Sequence, residues 1–138
     1  MLRSKEQFEN LVGKIIVSVE EKLGYDQVED YSYNSTYLII ETSEGDIYNM
    51  GVELDCYFCD QQVELDIEGS WSDIIGVPIL IAERVTNETD KFGRKELEKE
   101  SFTWTFYKLA TINGYMTISW LGTSNGYYSE EAEFKKIN

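Results

Sequence analysis

The sequence predicts a mainly β domain, with about eight antiparallel strands in a sandwich or partly open barrel and one or two short helices. Three observations lead there. Val63-Glu64-Leu65-Asp66-Ile67 alternates strictly between apolar and acidic residues, the period-2 pattern of a half-exposed strand. Asn113-Gly114 stands between two runs rich in β-branched and aromatic residues, a short-range hairpin signal. The two halves of the chain also echo each other around a Gly followed by a β-branched run. At 138 residues, 42% of them apolar and 14% aromatic, the chain is sized for a single domain over residues 1–138 with one core.

The elements follow in order. Ser4-Lys5-Glu6-Gln7 reads as an N-cap with Gln at the third helical position, opening a short helix through Phe8 and Leu11. A strand is expected from Lys14 to Glu20, apolar at Ile15, Ile16, Val17 and Val19. Residues 24–35, polar and rich in Tyr, read as a loop. Tyr37 to Glu41 and Asp46 to Val52 flank Ser43-Glu44-Gly45 as a hairpin. After the alternating strand, Ser70-Trp71-Ser72-Asp73 reads as a helical turn. Leu11-Val12-Gly13-Lys14-Ile15-Ile16-Val17 can be laid over Ile74-Ile75-Gly76-Val77-Pro78-Ile79-Leu80, which makes a duplicated helix-plus-meander unit one reading of the chain. Pro78 comes early in its strand, where an edge tolerates the missing amide donor.

Phe102 to Thr111, Tyr115 to Leu121 and Tyr127 to Phe134 read as three successive strands. Asn113-Gly114 predicts a type I′ turn with both residues at positive φ, pairing Leu109 with Ile118 and Tyr107 with Trp120. A three-residue Ser124-Asn125-Gly126 turn then pairs Ile118 with Ala132 and Met116 with Phe134. This register is preferred over a two-residue turn because it gathers Tyr107, Leu109, Met116, Ile118, Trp120, Ala132 and Phe134 on one face. The other face carries Phe106, Lys108, Thr117, Ser119, Tyr127, Ser129, Glu131 and Glu133.

Charge narrows the function classes. Lys and Arg number 12 against 26 Asp and Glu, for a net charge of -14, and there is no His. Without imidazole, every triad built on it is excluded, along with the commonest metal ligand. The acidity argues against direct contact with nucleic-acid phosphates. From Leu23 to Glu83 there is no Lys or Arg, so the whole net charge comes from one segment. Four bases, Lys91, Arg94, Lys95 and Lys99, sit together in one polar connection. Such polarity can steer a basic partner or imitate a nucleic-acid backbone; its plainer role is to keep sheet edges soluble. No apolar run approaches the roughly 18 residues of a membrane span, the N-terminus leads into polar sequence, and two cysteines make no disulfide framework. A cytoplasmic protein with no membrane contact is expected.

Trp104-Thr105-Phe106-Tyr107-Lys108-Leu109-Ala110-Thr111, then Gly114, Thr117-Ile118, Trp120, Gly122 and Ser124-Asn125-Gly126-Tyr127-Tyr128-Ser129-Glu130, resembles the signature of a domain-of-unknown-function family of small phage and bacterial proteins. The likeness extends upstream to Leu11-Val12-Gly13-Lys14, Asp55-Cys56 and Ile74 to Leu80, covering most of residues 10–137. Members of that family often carry adjacent cysteines near a His, and an Arg where this chain has Ser119. This chain separates Cys56 from Cys59 and lacks His. The resemblance implies a phage or prophage origin and no defined chemistry.

Three groups of residues are candidate sites. Asp55-Cys56-Tyr57-Phe58-Cys59-Asp60 holds a C-x-x-C, but zinc wants four ligands, and the flanking Asp residues oppose a lowered thiol pKa. Structural thiols are the expectation, with a facultative disulfide or a shared metal as alternatives. Asp55, Asp60, Glu64, Asp66 and Glu68 form a candidate acidic surface for a protein partner, while a hard-cation site lacks EF-hand spacing. Lys108, Ser119, Asn125, Gly126, Tyr127 and Ser129 bring a cation, hydroxyls and a flat ring to one face, able to stack a nucleotide-like ligand. The expected function is a non-enzymatic phage-type binding protein, a host-defence inhibitor that occupies a basic host protein or sequesters a nucleotide-like ligand. The rival classes are a carboxylate- or Cys-based metal protein or enzyme and a virion-associated structural domain. No cofactor or catalytic residue is assigned, and self-association is left open.

Overall fold

The computed structural model describes residues 4–5, 7–24, 35–52, 62–87, 101–124 and 130–138. Among them a two-residue strand β1 (Ser4–Lys5) precedes eight longer ones: β2 (Ile16–Gly24), β3 (Ser35–Thr42), β4 (Ile47–Gly51), β5 (Gln62–Glu68), β6 (Ile81–Asn87), β7 (Ser101–Thr111), β8 (Gly114–Ser124) and β9 (Glu133–Lys136). They form two antiparallel sheets, ordered β1-β9-β4-β3-β2 and β5-β8-β7-β6. The core lies between them and includes Phe8, Leu38, Ile40, Met50, Tyr107, Ile118, Trp120 and Phe134. This is a sandwich. The two short helices are 3-10 turns, Phe8–Leu11 and Trp71–Asp73.

The internal echo is structural. With Ile15 laid over Pro78, the first 3-10 turn falls on the second, and β2 falls on β6. Ile15 and Pro78 pair with each other in an isolated antiparallel bridge. Gly13 N–H donates to the Ile79 carbonyl at 2.8 Å, and Gly76 N–H donates to the Ile16 carbonyl at 2.9 Å. Each of these bonds is the other's counterpart, as a local two-fold axis between the repeats requires. Gly13 and Gly76 also share positive φ, 88° and 93°, which glycine adopts without Cβ strain. Ser18 pairs with Glu41 on β3, and its counterpart Ile81 pairs with Ala110 on β7. That register sets buried Leu38, Ile40 and Thr42 over buried Tyr107, Leu109 and Thr111. Likewise Tyr48, Met50 and Val52 correspond to Met116, Ile118 and Trp120. The unit is thus a 3-10 turn followed by a three-stranded meander, used twice.

Four expectations are corrected. The last strand does not return along β8. β9 lies in the other sheet, between β4 and β1, with Met50 opposite Phe134 and Ser4 opposite Lys136. The residues expected on one face do meet in one core, but Ala132 and Phe134 reach it from across the sandwich. At the β7–β8 hairpin the turn residues are Ile112 and Asn113, so Thr111 opposes Gly114, Leu109 opposes Met116 and Tyr107 opposes Ile118. Asn113 has no positive φ, which excludes a type I′ turn; the Thr111 hydroxyl instead accepts the Asn113 N–H at 3.1 Å. The shift moves each partner by two positions, and an even shift leaves the faces unchanged. At the N-terminus Ser4 and Lys5 form β1, and Gln7 caps the 3-10 turn without a side-chain hydrogen bond. Finally, the Lys14 strand begins only at Ile16 and runs on to Gly24. Ser124, expected to open a turn, is the last residue of β8, opposite Ser101, while Asn125 and Gly126, most of the 24–35 loop and the basic connection lie outside the described residues.

Candidate interaction face

The outward face of the second sheet gathers most of the residues singled out in the sequence. Its rungs read across the strands. Ile81, Ala110 and Tyr115 stand in one, and Glu83, Lys108, Thr117 and Glu68 in the next. Val85, Phe106, Ser119 and Asp66 follow, then Asn87, Trp104, Leu121 and Glu64. Trp104 and Leu121 are buried on this side, with Phe102 and Phe106 packed against them and the Trp104 and Phe106 rings stacked at 5.8 Å. Carboxylates therefore edge an aromatic centre, with Glu64, Asp66 and Glu68 along β5 and Glu83 on β6. At the turn end the face is apolar and open: Ile81 is 54% exposed and Tyr115 78%.

Lys108 is exposed on this face, but Ser119, expected beside it at the surface, is 0% exposed. Sharing the outward side of the sheet does not give it access to solvent. Asn125, Gly126, Tyr127 and Ser129 lie outside the described residues, as do Asp55, Cys56, Cys59 and Asp60. Among the described residues no three His, Cys, Asp or Glu are grouped as a metal-ligand set. No helix is long and apolar enough to cross a membrane.

Two polar clusters were missed by sequence reasoning, one joining the second sheet to the crossing segment and one within the first sheet. Ala132 lies where the chain crosses between sheets. Its carbonyl accepts from Arg84 Nη2 at 2.9 Å and from Tyr107 Oη at 3.0 Å, and its N–H donates to Thr105 Oγ1 at 3.0 Å. Arg84 also donates from Nε to Tyr107 Oη at 3.3 Å and pairs with Glu131 at 3.2 Å. Burial pushes the Tyr107 phenol up to about 12, although the neighbouring guanidinium works against it. On the first sheet, Asp46 pairs with Lys14 at 2.8 Å and Lys136 at 3.2 Å. The Lys14 bond, then the Lys136 bond, holds the Asp46 carboxyl below its usual range, and the Lys14 ammonium is raised chiefly by Asp46. Alternation along β6 does place Arg84 with core-facing Ala82, a signal readable in the sequence. Its partners belong to the crossing segment, which the expected topology put elsewhere.

Fold and face together define a two-sheet sandwich, built on a repeated turn-and-meander unit, that presents one acid-edged sheet face. The chain belongs to the family described as a domain of unknown function, DUF7448, whose model matches residues 9–134. No curated protein and no solved structure matches it.

Proposed function

We propose that the protein is a non-enzymatic binding module that docks a basic protein on the outward face of its second sheet. The observation that carries this reading is the alignment of Glu64, Asp66 and Glu68 on the outward side of β5, in a chain of net charge -14. Carboxylates at alternate strand positions lie along one line, where they reinforce one another's field and attract a basic surface. Complementary charge of this kind raises association rates and rejects acidic partners more than it adds affinity. In a phage-type protein acting in the host cytoplasm, such docking occupies a host protein and interferes with its work. Sequestration of a nucleotide-like ligand has weaker support, since Ser119 offers no exposed hydroxyl.

Native mass spectrometry of the protein purified from its own cells tests the reading. The expected result is a complex with a basic protein that dissociates as salt rises and is lost in the triple variant Glu64→Lys, Asp66→Lys, Glu68→Lys. Capture unchanged by the triple variant at both low and high salt would refute it.

A further inference from the structure

The chain is acidic in sum but not everywhere. Strands β7 and β8 with their turn contain one charged side chain, Lys108, in a chain of net charge -14. At their turn end the large apolar side chains stand in solvent. Ile112 is 82% exposed and Leu80 57%, beside the exposed Val12, Ile81 and Tyr115. Of the exposed large apolar side chains among the described residues, all but Val17 gather here. Backbone bonds string them together. Gly13 N–H, next to Val12, donates to the Ile79 carbonyl at 2.8 Å, and Leu80 N–H donates to the Ala110 carbonyl at 2.8 Å. Ala110 stands between Ile81 and Tyr115 in one rung, and Ile112 lies in the turn beyond it. Strands β2, β4, β6 and β8, which lead into the segments outside the description, all run away from this end. Single exposed apolar residues are ordinary, whereas a cluster of them marks a contact surface. The matching turn of the first repeat is Ser43-Glu44-Gly45, so the repeated fold does not require an apolar tip.

We propose that this patch is the interface of a homodimer, in which two copies meet at the turn end of the second sheet about a two-fold axis. Charge selects the occupant. A second copy also carries -14, and contact through β7 and β8 brings no carboxylate of those two strands against it. The adjoining rung sets Glu83 opposite Lys108, both exposed. In an isologous contact residue i meets j and j meets i, so each Lys108 faces the other copy's Glu83. A basic protein would instead meet Lys108 in that rung, and an anionic membrane is repelled by the net charge. The dimer goes beyond the docking reading above and does not depend on it. Salt separates the two, because screening weakens capture of a basic partner and strengthens contact between two acidic copies.

Sedimentation equilibrium of the full chain over a range of salt tests the proposal. The expected result is a dimer whose Kd falls as salt rises and increases at least about tenfold in the double variant Ile112→Ser, Tyr115→Ser. Both side chains are exposed, so the unfolding midpoint of that variant should match the parent's. Lys108→Glu and Glu83→Lys should each dimerise poorly alone, yet form heterodimers when mixed, because each supplies the charge the other lacks. A monomer at millimolar concentration in high salt would overturn the dimer while leaving the docking reading standing. Dimers that survive the double Ser variant, or that dissociate as salt rises, would overturn the apolar patch as their contact. Failure of the mixed variants to associate would overturn the two-fold arrangement. Binding of the parent to neutral phosphatidylcholine vesicles, lost in the double Ser variant, would assign the patch to a membrane surface instead.

Discussion

The two repeats share one plan and finish it differently. In the first, β9 is inserted beside β4 and the two-residue β1 lies outside it; in the second, β5 lies directly on β8 and is seven residues long. Under the alignment that superposes the 3-10 turns, β1 corresponds to the last two residues of β5. The first repeat is thus sealed by the chain's own C-terminus, which adds an aromatic to the core and a lysine to Asp46. The second, among the described residues, ends on β5, with Glu64, Asp66 and Glu68 along its outward side. The core is therefore nearly symmetric while the surface is not, and the functional proposal belongs to the asymmetry.

Disrupting the crossing segment should have the largest effects. A Cβ at Gly122 would overlap the Glu130 carbonyl, a backbone group that cannot swing aside. Gly122→Ala should cost about 3 kcal/mol or more in denaturant unfolding, since relief requires moving the whole 130–134 segment. Phe134→Ala removes a ring packed edge-on to Phe8 at 5.3 Å and stacked on Tyr48, and should cost about 3–5 kcal/mol. A loss below about 1 kcal/mol for Phe134→Ala would mean that β9 is peripheral and the repeats are equivalent after all.

Tyr107 couples the second repeat to the same segment, and its titration gives the coupling a sign. Its phenol has a folded value of about 12 against the ordinary 10, so the unfolded chain loses this proton first as pH rises. Stability from this group is complete below pH 10 and drains away between about 10 and 12, a loss of about 3 kcal/mol. Tyr107→Phe should cost about 1–3 kcal/mol at neutral pH, because the Ala132 carbonyl and Arg84 lose a partner. The variant should also flatten the alkaline limb of the stability profile. An unchanged limb would assign the loss to another group, with Lys14 the first to examine.

Much of this architecture is legible in the sequence, because local rules act where partners are close along the chain. The Ser43-Glu44-Gly45 hairpin forms, with Gly45 at φ 88°, and so does the turn capped by Ser70, whose hydroxyl accepts the Ser72 N–H. The alternation of 63–67 places Glu64, Asp66 and Glu68 together, as expected. β9 was not legible. Ala132 and Phe134 have the right period for either sheet, and periodicity identifies a face without identifying the neighbour. Placing Phe134 opposite Met50 depends on the Ala132 bonds to Arg84, Tyr107 and Thr105, all distant in sequence. Ser119 illustrates the complementary limit: alternation assigned its side of the sheet, but its cover comes from tertiary packing.

The matched glycines test the repeat itself. Neither Gly13 nor Gly76 has an atom within 4 Å of the position a Cβ would take, so an alanine there meets strain and no collision. Gly13→Ala and Gly76→Ala should each cost about 1–2 kcal/mol, and by nearly equal amounts, because φ near 90° is disfavoured for any residue with a Cβ. Costs that differ by more than about 1 kcal/mol would show that the two loops carry different loads despite their reciprocal hydrogen bonds.

Acidic residues of the two repeats should respond least, and in opposite senses. Asp46 in the first repeat is held by Lys14 and Lys136, so Asp46→Asn should lower the unfolding midpoint at neutral pH. Its folded pKa is depressed, so its contribution is complete above the normal carboxylate range and falls away as acid reprotonates it. The variant should accordingly lose part of the acid-side decline seen in the parent. Glu64 and Glu68 are exposed on β5, and Asp66 is half-buried. Reversing Glu64 or Glu68 to Lys should shift stability by no more than about 0.5 kcal/mol, because an exposed charge gains little from any one neighbour in water. Relief of repulsion in a chain of net charge -14 offsets even that. A melting temperature preserved in the triple reversal, beside lost binding of the basic partner, is the pattern expected of a docking face. A collapse in stability on reversing these three would instead make them structural, as Asp46 is in the first repeat.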